Sequence, residues 1–374
     1  MDSPQRSLAL DGVRGLAVLI VFFSHSSGRE LYPADFLHLQ GIGHIGVYLF
    51  FVLSSWLLTT IVLREIETTG SVRLKSYFLR RAFRIIPLYF CVVIAVFAYQ
   101  QATGSESRNY LHVGEGVAGL LKHLVLYKGD TVFWTIPCEV TFYLLLPFLA
   151  LALAKWPKVA VSLLLAAAVG FSVWTVKLYY RKWSGPPFPK IVDIVHLSQF
   201  LEVFLIGVLG AWATWFFRDR IVWRPLIWRL LEVAIALALF SLLWYLCAIT
   251  CEKFFWYERS NYRFRFQSAL FAVVFAALIF VVEKYPEGYL AKFFRNRLLR
   301  LMGVLGFSWY LLHFPVFYFI LEIKKRVGLS FAGADTLYFV LAWIACGLAS
   351  WATFRLIEKP GISFGRRLEG NRQS

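Results

Sequence analysis

The sequence predicts an all-α, polytopic membrane protein of about ten spanning helices with both termini in the cytoplasm. Three observations carry this expectation. Hydrophobic residues make up 59% of the 374-residue chain, where soluble domains stand nearer one half, and mean hydropathy is +0.64. The apolar residues gather into runs of about 20, the length that crosses a hydrocarbon core. Lys and Arg concentrate in alternate loops between those runs.

The runs fall at about 8–27, 41–63, 85–103, 134–154, 158–178, 197–217, 229–250, 266–283, 301–321 and 336–356. The first is too long for a signal peptide and no small-residue cleavage site follows it, so it stays as the first span. "VAGLLKHLVLY", within 117–127, is too short and polar to span and suits a re-entrant or interfacial segment. The cation-rich loops, holding Arg64, Arg73, Lys75, Arg218, Arg295, Arg366 and their neighbours, belong on the cytoplasmic side. No internal repeat or low-complexity tract interrupts the pattern. The chain therefore reads as one domain over 1–374, without a fused soluble domain, in the cytoplasmic (inner) membrane. The formal net charge of +17 would suggest nucleic acid on a soluble protein. Here it is loop charge, and no nucleic-acid partner is expected. The five cysteines form no metal-type pairs, so neither a metal nor a disulfide framework is expected. Cys247 and Cys251, one helical turn apart, read as packing residues.

The first run contains two residues that are costly in hydrocarbon, Arg14 and His25. Eleven residues apart, at about 100° per residue, they share one helix face ~16 Å apart along the axis. Snorkelling would accommodate Arg14 alone, and an interfacial position would accommodate His25 alone. In the fourth run, "FWTIPCEVTFYLLLPF", Thr135 suits an N-cap, Pro137 the first turn, and Glu139 then lies about one turn inside the outer surface. A first-turn carboxylate is also what the helix dipole favours. In "GFSWYLLHFPVF" His313 stands about twelve residues into the ninth run, ~18 Å from its inner end, beside the potential kink of Pro315. His25, Glu139 and His313 thus share the outer half. At the inner end, "YFLRRAFRIIPLYF" places Arg80, Arg81 and Arg84 at the mouth of the third run, with Pro87 starting it. Arg14 is positioned to join them. Gly43, Gly46, Ser54 and Ser55 of the second run suit close helix packing or a narrow passage. Arg355 and Glu358 are spaced to pair with each other.

A histidine beside a carboxylate suits general-base activation of a hydroxyl. Clustered guanidiniums suit a polyphosphate. Together they suggest group transfer across the membrane, from a phosphorylated donor inside to a hydroxyl outside. A transporter or flippase for a lipid-linked sugar or an anion would also use intramembrane Arg and His, but no inverted repeat supports it.

Six segments in order resemble the motifs of the acyltransferase-3 family of membrane O-acyltransferases: "LDGVRGLAVLIVFFSHS", "GVYLFFVLSSWLLT", "RRAFRIIPLYF", "FWTIPCEVTFY", "FSWYLLHFP" and "FRLIEKP". The resemblance covers most of the chain. It implies transfer of an acyl group, usually acetyl from acetyl-CoA, to a hydroxyl of a surface or exported glycan, with no metal. It also implies that Arg14 and His25 are the essential pair. Combined with the placement above, His25 is expected to act as general base or transient acyl acceptor. Glu139 and His313 support the catalytic site, and Arg14, Arg80, Arg81 and Arg84 hold the phosphates of coenzyme A. Three positions depart from the family pattern. Tyr48 stands where Asp is frequent, Ser55 replaces a usual Gly, and Thr135 replaces a usual Ser.

Overall fold

The computed structural model describes residues 8–28, 31, 39–104, 111–184, 196–218, 224–251, 267–329, 331 and 333–370. Among these residues there is no strand. In hydrocarbon a helix satisfies its own backbone polar groups, so apolar runs become helices. Helices α1 (Leu8–Ser27), α2 (Gly43–Thr69) and α3 (Leu74–Thr103) come first. A short α4 (Gly116–Leu124) precedes α5 (Thr135–Lys155), α6 (Pro157–Ser184), α7 (Leu201–Phe216), α8 (Pro225–Cys251) and α9 (Ser268–Lys284). Two short helices, α10 (Tyr289–Phe294) and α11 (Arg297–Val304), lead into α12 (Gly306–Val327), α13 (Ala334–Thr353) and α14 (Lys359–Gly370).

Among the described residues, eight helices are long and apolar enough to cross a membrane: α1, α2, α3, α5, α6, α8, α12 and the continuous rod from α13 into α14. With 16 and 17 residues, α7 and α9 are shorter. A 3-10 turn, His196–Gln199, replaces the first turn expected for the sixth run. The ninth run is also not a single helix. It breaks at Leu305, and α12 starts at Gly306, so His313 lies ~10 Å along its helix rather than ~18 Å.

The break exists to let α11 lie against α1. A Cβ on Gly15 would stand 2.0 Å from the Leu299 carbonyl oxygen, and one on Gly303 would stand 1.7 Å from that of Asp11. Only glycine fits at either place. Apolar helices in lipid have no water to expel from between them, so such close backbone contact is what joins them. It fixes the turn of α1 that carries Arg14. Beyond the break, α12 runs parallel to α1, with Gly306 beside Arg14 and His313 beside His25.

Other local expectations change in the folded chain. Helix α3 begins about three turns before the third run, so Arg80, Arg81 and Arg84 lie inside it and Pro87 is internal. Proline has no N–H for the Phe83 carbonyl, and Gly361 of α14 rests against that oxygen, where a Cβ would come within 2.7 Å. Thr135 is the first residue of α5 rather than its cap, and its hydroxyl donates to the Val132 carbonyl at 3.3 Å. Arg355 and Glu358 do not pair. A π-helical turn, Phe354–Glu358, widens the spiral so that residues three apart leave a common face. Glu358 turns inward and accepts from Ser308 Oγ at 2.9 Å, while Arg355 lies over the Trp351 ring. Ser55 is fully buried with its hydroxyl on the Val52 carbonyl, and Gly207 of α7 provides the room for it. Tyr48 is also fully buried, its ring between Phe200 and Phe271. The side chains of Cys247 and Cys251 lie outside the described residues.

Candidate active site

The parallel packing of α1 and α12 brings two histidines together. His25 Nδ1 and His313 Nε2 are 2.9 Å apart, with the ring planes 8° from parallel. His313 is buried, and Phe314 packs edge-on against both rings. Its other nitrogen, Nδ1, lies 2.7 Å from the Tyr310 carbonyl oxygen. A carbonyl only accepts, so Nδ1 of His313 must carry a hydrogen. In the neutral pair Nε2 of His313 is then the acceptor, and His25 donates to it from Nδ1. This leaves the lone pair of His25 on Nε2, which is the nitrogen a general base uses. A backbone carbonyl thus sets the tautomer of both rings.

Toward the other end of α1 lies a cavity of about 420 Å³. Five arginines line it: Arg14, Arg64, Arg81, Arg84 and Arg366. Asp11, Glu139 and Glu283 also line it. Asp11 Oδ1 accepts from Arg14 Nη1 at 3.3 Å. Glu139 Oε1 accepts from Ser54 Oγ at 2.7 Å and from the Tyr143 hydroxyl, and those two hydroxyl oxygens lie 2.7 Å apart. Glu283 Oε2 accepts from Trp56 Nε1 at 2.8 Å. Arg64, Arg81, Arg84 and Arg366 make no ion pair with any described residue. The Nε of Arg81 is buried without a partner. Buried donors are nearly always satisfied, so a cluster of unpaired guanidiniums around an open volume is a site made for an anion.

Of the residues singled out from the sequence, Arg14, Arg81, Arg84 and Glu139 converge on this cavity. Arg80 does not. One position along α3 it points away, donating to Glu369 Oε1 at 2.7 Å and Ser76 Oγ at 2.8 Å, with Glu65 at 3.8 Å. Glu139 does not join the histidines as expected, because its carboxylate is taken by Ser54 and Tyr143. Shared depth in the membrane did not mean a shared position around the bundle. His25 and His313 lie outside the cavity lining, which extends as far as Tyr310, whose carbonyl holds His313.

Sequence reasoning missed Arg64, Arg366, Asp11, Glu283 and Tyr143. The two arginines were indistinguishable from loop charge. Tyr143 had a usable signal, standing one helical turn from Glu139. Glu283 closes an apolar run and looked like an ordinary boundary residue. Among the described residues no group of three or more His, Cys, Asp or Glu converges as a metal site would.

A second buried histidine supports the site from outside the spans. His123, at the end of α4, donates from Nδ1 to the Gly119 carbonyl and accepts the Asp130 N–H on Nε2, both at 2.9 Å. Burial lowers its pKa, opposed by the Gly119 hydrogen bond and the nearby Asp130 carboxylate. The loop it pins has left-handed backbone at Leu126 (φ 58°) and Thr131 (φ 52°). The next residue, Val132, accepts the Tyr310 hydroxyl at 3.0 Å. The loop, α12 and the histidine pair are therefore mechanically joined.

Comparison with known proteins identifies the family. The chain is 25% identical over 371 residues to the peptidoglycan O-acetyltransferase OatA of Listeria monocytogenes, covering 94% of this chain and 55% of that protein. It is 22% identical over 390 residues to the O-acetyltransferase OatA of Staphylococcus aureus, covering 96% and 58%. A putative O-acetyltransferase of S. aureus is 25% identical over 336 residues, covering 83% and 50%. The chain spans about half the length of these curated relatives. No solved structure matches it. A family profile described as an acyltransferase domain matches residues 7–355, a range that includes the histidine pair and every cavity arginine but Arg366. On that match the chain belongs to the acyltransferase-3 family.

Proposed function

We propose that the protein is a membrane O-acyltransferase that moves an acetyl group from acetyl-CoA to a hydroxyl of a surface or exported glycan. The observation that carries this reading is the division of α1: Arg14 opens onto the unpaired arginines, and His25 pairs with His313 at the far end of the same helix. The arginines suit the phosphates of coenzyme A, presented from the cytoplasm. Its acyl group sits on a long flexible arm, suited to the ~16 Å of helix between Arg14 and His25. Burial of His313 and the aromatic rings around it keep water from competing for the acyl group.

In the proposed step Nε2 of His25 removes the proton of the acceptor hydroxyl as that oxygen attacks the thioester carbonyl. The carbon–sulfur bond breaks, an O-acyl ester forms, and the sulfur leaves as thiolate. The imidazolium proton of His25 then returns to that thiolate or to water. His313 holds the ring in the reactive tautomer, and its hydrogen bond to Tyr310 keeps its own lone pair turned toward His25. The names of the relatives, among them one acting on peptidoglycan, support a glycan as acceptor. The test is acetyl transfer from labelled acetyl-CoA to cell-surface glycan in membranes. His25→Ala is expected to lower the rate by about 10²–10⁴-fold, the usual contribution of a general base. Near-normal transfer at equal protein level overturns the assignment.

A further inference from the structure

Glu283 is a carboxylate in an unlikely place. It lies in the last turn of α9, where the helix dipole disfavours negative charge. It faces a cavity with five arginines yet pairs with none of them. Its Oε2 is held instead by the indole N–H of Trp56. That indole is itself fixed. Trp56 is 1% exposed, and its ring lies on Gly210 of α7, where a Cβ would stand 2.4 Å from Cζ3. Three helices therefore cooperate to hold one carboxylate among cations without neutralising it: α2 through Trp56, α7 through Gly210 and α9 through Glu283. A carboxylate needed only to offset charge would lie against a guanidinium, as Asp11 does.

We propose that Glu283 determines which acyl donor the cavity accepts. This rests on the reading of the cavity as the acyl-CoA site. With Oε2 occupied by Trp56, Oε1 accepts an N–H or O–H from the nucleotide half of a donor whose phosphates lie on the arginines. A ligand that brings phosphate alone has no proton to offer Glu283 and is repelled by it. The pairing of cations with one fixed acceptor thus selects a nucleotide-bearing carrier over a simple anion.

The test is binding of coenzyme A, 4′-phosphopantetheine and pyrophosphate to the purified full-length protein, unaltered and as Glu283→Ala. Loss of a hydrogen bond to a charged group weakens coenzyme A binding by roughly tenfold or more. Phosphopantetheine and pyrophosphate each bind equally or more tightly because a negative charge has gone. Trp56→Phe keeps the buried ring but releases the carboxylate, and shifts coenzyme A in the same direction by a smaller factor. It also keeps the test open should Glu283→Ala fail to accumulate. Equal shifts for coenzyme A and pyrophosphate, or no shift for either, overturn the role of Glu283 alone. If the unaltered protein binds no coenzyme A, the donor reading of the cavity falls and this inference falls with it.

Discussion

At the scale of single residues, the carbonyl of Tyr310 decides more than any side chain. It fixes the hydrogen of His313 on Nδ1, and through Nε2 it fixes that of His25. His313 on this account is a positioning residue: it acts on the acceptor only through His25. His313→Ala is expected to lower kcat by about 100-fold while leaving the KM for the acyl donor unchanged, since the arginine cavity is untouched. His313→Gln can present an amide oxygen near the position of Nε2 and is expected to restore part of the rate. Steady-state kinetics in purified protein check both. A KM change equal to the kcat change would mean that His313 holds the donor instead.

At the scale of helices, the apolar runs were legible because hydrocarbon permits little else for such a stretch. Among the described residues each of the ten runs contains helix, the ninth in two pieces. Their ends and breaks were not legible. Nothing in the hydropathy of "RLLRLMGVLGFSWYLL" marks the break at Leu305, because the reason for it lies on α1, at Asp11 and Gly15. The π turn at Phe354–Glu358 was hidden for a similar reason, since the inward partner of Glu358 is Ser308 of a different helix. Site residues followed the same rule. Arg14 and Glu139 were visible because charge inside an apolar run stands out, and Arg81 and Arg84 because they cluster at the mouth of one. Arg64 and Arg366 lie in segments where charge is ordinary. Azimuth was the information lacking for Arg80, which stands beside Arg81 in sequence and faces Glu369 in the fold.

Two predictions belong to this scale. Gly303→Ala puts a methyl group 1.7 Å from the Asp11 carbonyl oxygen, so α1 and α11 must separate. Overpacking of this kind costs about 1–3 kcal/mol, and a lower unfolding temperature with reduced protein level is expected. Gly170→Ala, where a Cβ meets nothing within 4 Å, serves as the neutral control. The second concerns α4. His123 is held neutral, with its folded pKa below the usual value of about 6.5. Below pH ~6.5 the unfolded chain binds a proton that the folded chain refuses, so stability falls as pH drops through that value and is fully retained above it. Unfolding midpoints measured between pH 8 and 5 are expected to decline on the acid side. The decline should be smaller in His123→Asn, which keeps a donor for the Gly119 carbonyl but does not titrate.

At the scale of the whole molecule, the chain returns to its starting point. The rod of α13 and α14 carries the C-terminal segment back across α3, where Phe364 packs on Phe83 and Glu369 takes Arg80. This return sets Arg366 at the cavity that Arg14 of the first helix also lines. Charge from opposite ends of the sequence thus meets at one cavity. Arg366→Ala is expected to raise the donor KM by about tenfold with kcat unchanged, because one charge-assisted phosphate contact is lost in the ground and transition states alike. Arg367→Ala is the control. That neighbour is also exposed and stands outside the cavity lining, so its removal should leave the KM unchanged. Raising ionic strength should increase the donor KM of the unaltered protein and narrow the gap to Arg366→Ala, since a partly exposed charge is screened over about 8–10 Å at ordinary salt. Equal effects of the two substitutions would show that α14 contributes only general surface charge, and would remove Arg366 from the donor site.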